Sequence, residues 1–144
     1  GMCVLDTCMA FGMVRGGHLD VTVLGALQVS QDGDLANWIP GGADLLRHEG
    51  RIGGAMDMAT GAKRVIVTCR HNGKDGRSKI VKKCTFLPTR KKCVNLIFTD
   101  LAVMEVIKEG LLLKEVAPGW TAAEVQANTE AELIIAKDLT EIKV

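Results

Sequence analysis

RIGGAMDMATGAKRVIVT, residues 51–68, sets a glycine pair ahead of one short helix's worth of residues, a glycine stop and a run of β-branched residues. Gly53 and Gly54 carry no Cβ, so their backbone N–H groups can come close to a ligand, and the helix they open favours negative charge at its start. That reads as a seat for an oxyanion. Glycine pairs are also ordinary turn punctuation, so the same residues read as a turn packed tightly between helix and sheet. Under both readings the pattern predicts a helix over residues 55–60, Gly61 just past its end, and a buried strand over 64–69.

Working toward the amino terminus, residues 19–29 (LDVTVLGALQV) are almost continuously apolar, which predicts a central strand covered on both faces. Before it, Asp6 or Thr7 caps a short buried helix that runs through Met13 and Val14 and stops at Gly16 and Gly17. After it, SQDGD at 30–34 is turn chemistry, with a return or loop at 35–38. Pro40, Gly41 and Gly42 then open a stretch over 39–51 that is predicted to be a loop.

Toward the carboxyl terminus, Asn72-Gly73 and Asp75-Gly76 mark a turn, and residues 79–84 read as a short helix with basic residues on its exposed side. Apolar, partly β-branched runs at 94–99, 101–106 and 111–116, the last two separated by Glu109-Gly110, predict antiparallel strands. Thr121 and Glu124 form a capping box for a helix over 122–129, and a last strand follows at 132–136. Elements alternating in this way predict an α/β layered fold with a mixed sheet, in a single domain over residues 1–144.

The hydrophobic share of 47% against 24% charged residues is that of a soluble globular protein, and no apolar run is long enough to cross a bilayer. No secretory signal pattern opens the chain, so the expected compartment is the cytoplasm, with the mitochondrial matrix as the alternative. Five cysteines, Cys3, Cys8, Cys69, Cys84 and Cys93, form no C-x-x-C pair, and His18, His48 and His71 have no second histidine or cysteine one helical turn away. Neither a disulfide framework nor a metal site is predicted. Net charge is +1, but residues 70–92 hold nine Lys or Arg against one acid, Asp75, while 100–144 hold nine acids against four lysines. A basic stretch of this kind attracts phosphate, of a nucleotide cofactor or of nucleic acid. No aromatic residue interleaves with residues 70–83, so the stacking platform of a single-strand binder is missing and nucleic acid is not the expected partner.

Six pieces carry a resemblance when read in order: MVRGGHLDVTVLGAL at 13–27, GDLANW at 33–38, GGAMDM at 53–58, GAKRVIVT at 61–68, KIVKKCT at 79–85 and TDLAVMEV at 99–106. Together they resemble the β subunit of the family I CoA-transferases, or the C-terminal half of the fused chains such as succinyl-CoA:3-oxoacid CoA-transferase. The resemblance implies a mixed, largely parallel sheet. It also implies chemistry in which a glutamate carboxylate attacks an acyl-CoA thioester, giving an acyl-glutamyl anhydride and then a glutamyl-CoA thioester. In the family that glutamate lies upstream of everything matched, which implies an amino-terminally truncated chain with no catalytic nucleophile of its own. The positions matching CoA contacts and oxyanion donors are Gly54 and Ala55, through their backbone N–H groups. The resemblance further implies CoA as substrate rather than cofactor, a carboxylic or 3-oxo acid as acceptor, and a CoA-transferase α subunit as partner.

The chain departs from the family pattern in three places. Residues 39–52 (IPGGADLLRHEGRI) replace a shorter Pro-Gly-Lys segment, Arg70 stands where a glutamate precedes the histidine, and FLPTR at 86–90 replaces Leu-Pro-Leu-Thr-Gly. Asp20, Glu49 and Asp57 read as turn, surface or capping acids rather than as substitutes for the nucleophile. A noncatalytic binding or oligomerisation domain that kept the fold is the alternative function. In both cases a chain lacking part of its sheet cover is expected to self-associate, through the helix after Asp6 or the strand at 21–29.

Overall fold

A computed structural model describes residues 3–39 and 53–143. The loop expected over 39–51 lies outside them except for Ile39. In chain order the elements are α1 (Thr7–Arg15), β1 (Leu19–Gly25), β2 (Gln28–Ser30), β3 (Leu35–Ala36), α2 (Ala55–Gly61), β4 (Ala62–Thr68), β5 (Ile80–Val81), β6 (Val94–Phe98), β7 (Ala102–Ile107), β8 (Gly110–Val116), α3 (Ala122–Ala127) and β9 (Leu133–Glu141).

A six-stranded sheet runs in the order β1-β4-β6-β7-β8-β9, and a small three-stranded sheet in the order β3-β2-β5. In the large sheet β1, β4 and β6 are parallel, β6, β7 and β8 are antiparallel, and β9 returns parallel to β8 by way of α3. The fold is therefore α/β, with the mixed sheet expected from the sequence. The antiparallel pairs come from hairpins too short to allow anything else; the parallel ones need the crossovers that α2, β5 and α3 provide.

One face of the large sheet is buried. Val67, Ile97, Met104, Leu111 and Leu113 project from it against Val29, Leu35 and Ile80 of the small sheet, with Ala59 of α2 and Val125 of α3 closing the layer. The opposite face carries an in-register row across all six strands, Val23, Ile66, Leu96, Glu105, Leu112 and Ile134. Among the described residues nothing covers this row: Val23 is 58% exposed and Ile134 38%.

Three expectations are corrected. Residues 19–29 are not one central strand. The chain leaves the large sheet at Gly25 and enters the small one at Gln28, and β1 is an edge strand with Val21 and Val23 exposed. An unbroken apolar run conceals such a change because its two halves are buried by different neighbours. The helix after Asp6 forms where predicted, with the Asp6 carboxylate accepting from the Met9 N–H at 2.9 Å, yet of its residues only Val14 is buried. Residues 79–84 are not helical. Ile80 and Val81 form β5, pairing in parallel with β2 and buried on insertion into the core. Burial and pairing decided this short segment, whose basic flanks had suggested an amphipathic turn.

The remaining ends moved little. The Thr121–Glu124 capping box is present in full, Thr121 Oγ1 accepting from the Glu124 N–H and the Glu124 carboxylate accepting from the Thr121 N–H at 2.8 Å. The last strand runs further than expected, to Glu141.

Candidate functional site

The glycine pair lies at the start of α2. Gly53 adopts φ +49°, a left-handed conformation suited to glycine, and Gly54 is the N-cap, without a side chain to satisfy the first turn. Helix α2 packs closely on α1 at its glycines. The Phe11 ring occupies the place a Cβ at position 54 would take, and the Val14 carbonyl occupies that of one at position 61. The reading of a tightly packed turn is thus correct in its own terms. It does not compete with anion binding, because the packing uses the α1 side of the glycines, while first-turn N–H groups have no acceptor within their helix.

Asp57 sits one turn into α2 and is gripped by Arg15 of α1, with Nε donating to Oδ1 at 2.8 Å and Nη2 to Oδ2 at 3.0 Å. The guanidinium holds the Asp57 carboxyl below the usual carboxylate range. With both oxygens engaged, this carboxylate is a strut between helices and not a nucleophile. Asp20 is likewise paired, with Lys63 at 2.6 Å on the surface, and that lysine lowers its pKa. Glu49 lies outside the described residues. Asp20 and Asp57 make no contact with each other.

At the carboxyl end of β4 the basic turn is tightly built. The Gly73 N–H donates to the Arg77 carbonyl at 2.8 Å, the Gly76 N–H to Gly73 at 3.0 Å and the Lys79 N–H to His71 at 2.8 Å, with Asn72 and Ser78 bridged across the turn. Two adjoining depressions open here. One, about 400 Å³, is lined by Arg70, Asn72, Gly73, Lys74 and Lys79. The other, about 220 Å³, shares Gly73 and Lys79 and is walled by Leu27, Gln28, Thr85 and Phe86. Lys82 and Lys83 line neither and lie exposed after β5.

His71 anchors this turn, a role sequence reasoning missed. It is 1% exposed. Its Nδ1 lies 3.0 Å from Thr99 Oγ1 and its Nε2 2.9 Å from Thr129 Oγ1, while its backbone N–H donates to Asp100 Oδ1 at 2.6 Å. The Thr129 hydroxyl gives its proton to the Val125 carbonyl, so the histidine Nε2 is the donor to it, and Nδ1 shares the Thr99 hydroxyl proton with the Ala102 carbonyl, 3.1 Å from that oxygen. This is a neutral imidazole. Burial pushes its pKa below the ordinary value of 6.5, with the Asp100 carboxylate opposing the shift. The one sequence signal was the Thr99-Asp100 pair at the end of a strand, but nothing local ties that pair to His71.

Cys69, Cys84 and Cys93 are each pushed up to about 11, chiefly by burial, and so are protonated thiols at neutral pH. Among the described residues no group of acids, histidines or cysteines has the geometry to hold a metal ion, and no helix is long and apolar enough to cross a membrane.

The coenzyme A transferase family profile matches residues 5–128, most of the chain and all of the elements described above as far as α3. The chain belongs to that family. It is 43% identical to the acetate CoA-transferase subunit beta of Haemophilus influenzae, over 100% of this chain and 63% of that subunit. It is 44% identical to the mitochondrial succinyl-CoA:3-ketoacid coenzyme A transferase 2B of Mus musculus, over 96% of this chain and 26% of that protein. Among solved structures, the acyl-CoA transferase YdiF of Escherichia coli O157:H7 superposes with a TM-score of 0.79 at 21% identity, covering 98% of this chain and 31% of that one. This CoA-transferase chain therefore spans less than two thirds of the length of the relatives it matches. Its α/β core is the family's.

Proposed function

We propose that this chain supplies the CoA-binding part of a family I CoA-transferase active site, and no nucleophile. The observation that carries the reading is the position of the Gly54-Ala55 step. Helix α2 ends where β4 starts and packs against β1 and β4, so its first turn points toward the carboxyl ends of the parallel strands. That is the side on which open α/β sheets bind ligands.

In this reading a glutamate from outside these 144 residues attacks the thioester carbonyl carbon of an acyl-CoA. The C–S bond breaks, the CoA thiolate leaves and an acyl-glutamyl anhydride forms. The thiolate then attacks the glutamyl carbonyl, freeing the carboxylic acid and leaving a glutamyl-CoA thioester. The N–H groups of Gly54 and Ala55 hold the carbonyl oxygen as it gains charge, a contribution of a few kcal/mol in a preorganised site. The acyl groups are of the succinyl or acetoacetyl type and the acceptor is a carboxylic or 3-oxo acid. An α subunit completes the enzyme, consistent with relatives named as beta subunits. CoA is a substrate and no further cofactor is invoked. The setting is cytoplasmic or the mitochondrial matrix, and the 144 residues form one domain.

Incubation with acetoacetyl-CoA and succinate tests this. The chain alone yields no succinyl-CoA, and transfer is gained only when a glutamate-bearing segment and an α subunit are supplied. Turnover by the purified chain alone contradicts the reading.

A further inference from the structure

Of the strands that end the two sheets, β1 differs from the rest. The edges of the small sheet, β3 and β5, are two residues long; Leu35 of the first is bridged to Arg90, and the Ile80 carbonyl of the second accepts from the Glu130 N–H at 3.2 Å. One edge of the large sheet, β9, carries exposed Lys137 and Asp138 where its pairing with β8 slips, and both charge and a break in register discourage a further strand. The other edge, β1, has no such guard. Its seven residues pair with β4 without a register shift, no proline or lysine interrupts them, and the one charge, Asp20, is held by Lys63 of β4 at 2.6 Å. Among the described residues nothing pairs with its outer side.

We infer that β1 is the docking edge for a second copy of this chain, paired antiparallel about a two-fold axis at Thr22, so that two six-stranded sheets join into one. The exposed area leaves room for such a contact. A folded monomer of 15.4 kDa ordinarily exposes about 7,200 Å², whereas this chain exposes 9150 Å², and a standard interface buries about 800 Å² per partner. The strand is also its own complement. An axis at its middle residue overlaps the whole strand, sets Val21 opposite Val23 of the second copy and Thr22 opposite itself, and so matches β-branched and hydroxyl side chains across the pair. The open-face row Val23, Ile66 and Leu96 then continues into Val21 and Arg64 of the second copy. Val21 and Val23, 46% and 58% exposed, lose water as the strands meet. An unrelated extended peptide gains the same backbone hydrogen bonds without the matched valines. One contact uses up both free edges, so association closes at two chains.

The test is sedimentation and hydrogen exchange of the 144-residue chain over a concentration series. A dimer is expected, with amides in residues 19–25 exchanging at least tenfold more slowly at high concentration than at low. Val21→Lys with Val23→Lys, which guards the edge with charge, weakens the dimer at least tenfold with an unaltered circular dichroism spectrum, whereas Ile135→Lys on β9 leaves it unchanged. Register is read with the two exposed cysteines, Cys3 and Cys8, replaced by serine. Under oxidised glutathione, an equal mixture of Val21→Cys and Val23→Cys chains then joins through a disulfide in higher yield than either chain alone. Monomers at every concentration, a dimer without added protection at 19–25, or no excess of the mixed disulfide overturns the inference. Protection of 19–25 in a chain that stays monomeric also overturns it, and shows that another part of the same chain pairs with the edge.

Discussion

Arg15 and Asp57, 42 residues apart in sequence, meet in a two-pronged ion pair at 2.8 and 3.0 Å that fastens α1 to α2 directly behind the glycine pair. Phe11 lies on the same helix as the arginine, and the Arg15 guanidinium stands 5.9 Å from the centre of its ring. The geometry of the Gly54-Ala55 step therefore depends on a helix that contributes nothing to the parallel strands themselves.

Of the two fastenings, packing outweighs charge. The Arg15 side chain is 67% exposed, so solvent screens the pair and Asp57→Asn is expected to change stability little. Gly54→Ala forces a methyl group into the Phe11 ring and costs about 1–3 kcal/mol. Adding Phe11→Ala to Gly54→Ala recovers part of that loss. Urea unfolding of the two single variants and the double variant checks this; strictly additive effects would show that the ring and the glycine do not meet.

His71 makes stability pH-dependent in a defined direction. Its folded-state pKa lies below the ordinary value of 6.5, so below that pH the unfolded chain takes up a proton that the folded chain resists. The stabilising effect of the neutral ring is complete above pH 6.5 and is lost as pH falls below it. The unfolding free energy of the parent chain should therefore decline between pH 7 and 5 more than that of His71→Gln, with Asp100 moderating the difference. His71→Ala, which removes the ring that the Thr99 and Thr129 hydroxyls both contact, is expected to cost about 1–3 kcal/mol at pH 7. Parallel curves for the parent and the Gln variant would contradict the neutral assignment.

Thiol reactivity should divide along burial. Cys3 and Cys8 are exposed, whereas Cys69, Cys84 and Cys93 are pushed up to about 11. At pH 8 an alkylating reagent should modify the first two within minutes and the other three only on unfolding, as counted by mass spectrometry. Rapid modification of Cys69 in the folded chain would contradict this account.

Local chemistry is what the sequence displayed well. The Asp6 cap, the Thr121–Glu124 box and the turn at Glu109-Gly110 each involve partners within a few residues, and each stands where the residues put it. What the sequence concealed depends on distant partners. Residues 19–29 look uniformly apolar because β1 is held by β4 and β2 by β3 and β5, in two different sheets. Lys79, Lys82 and Lys83 advertised a surface helix, but Ile80 and Val81 were claimed by Val29 and Ser30. His71 finds Thr99 and Thr129 at separations of 28 and 58 residues, beyond any local pattern. At the glycine pair the residues supported two readings: the packed turn is visible in the structure, and the anion-binding role is a proposal drawn from the resemblance to CoA-transferases.

The open face of the sheet predicts association. Parallel strands are ordinarily covered on both sides, and the row Val23, Ile66, Leu96, Leu112 and Ile134 has no cover among the described residues. The 144-residue chain should form a dimer or larger oligomer in light scattering over a concentration series, and Val23→Lys with Ile66→Lys should shift it toward monomer without unfolding it. A folded monomer at every concentration would contradict this.

The central claim is that backbone N–H groups at the start of α2 receive the thioester carbonyl of an acyl-CoA, and Ala55→Pro tests it most directly. Proline is tolerated at the first position of a helix, so the change removes one donor and little else. In titrations of succinyl-CoA, the parent chain should bind and Ala55→Pro should bind at least tenfold more weakly, with an unchanged circular dichroism spectrum. Equal affinity of the two chains for succinyl-CoA would contradict it.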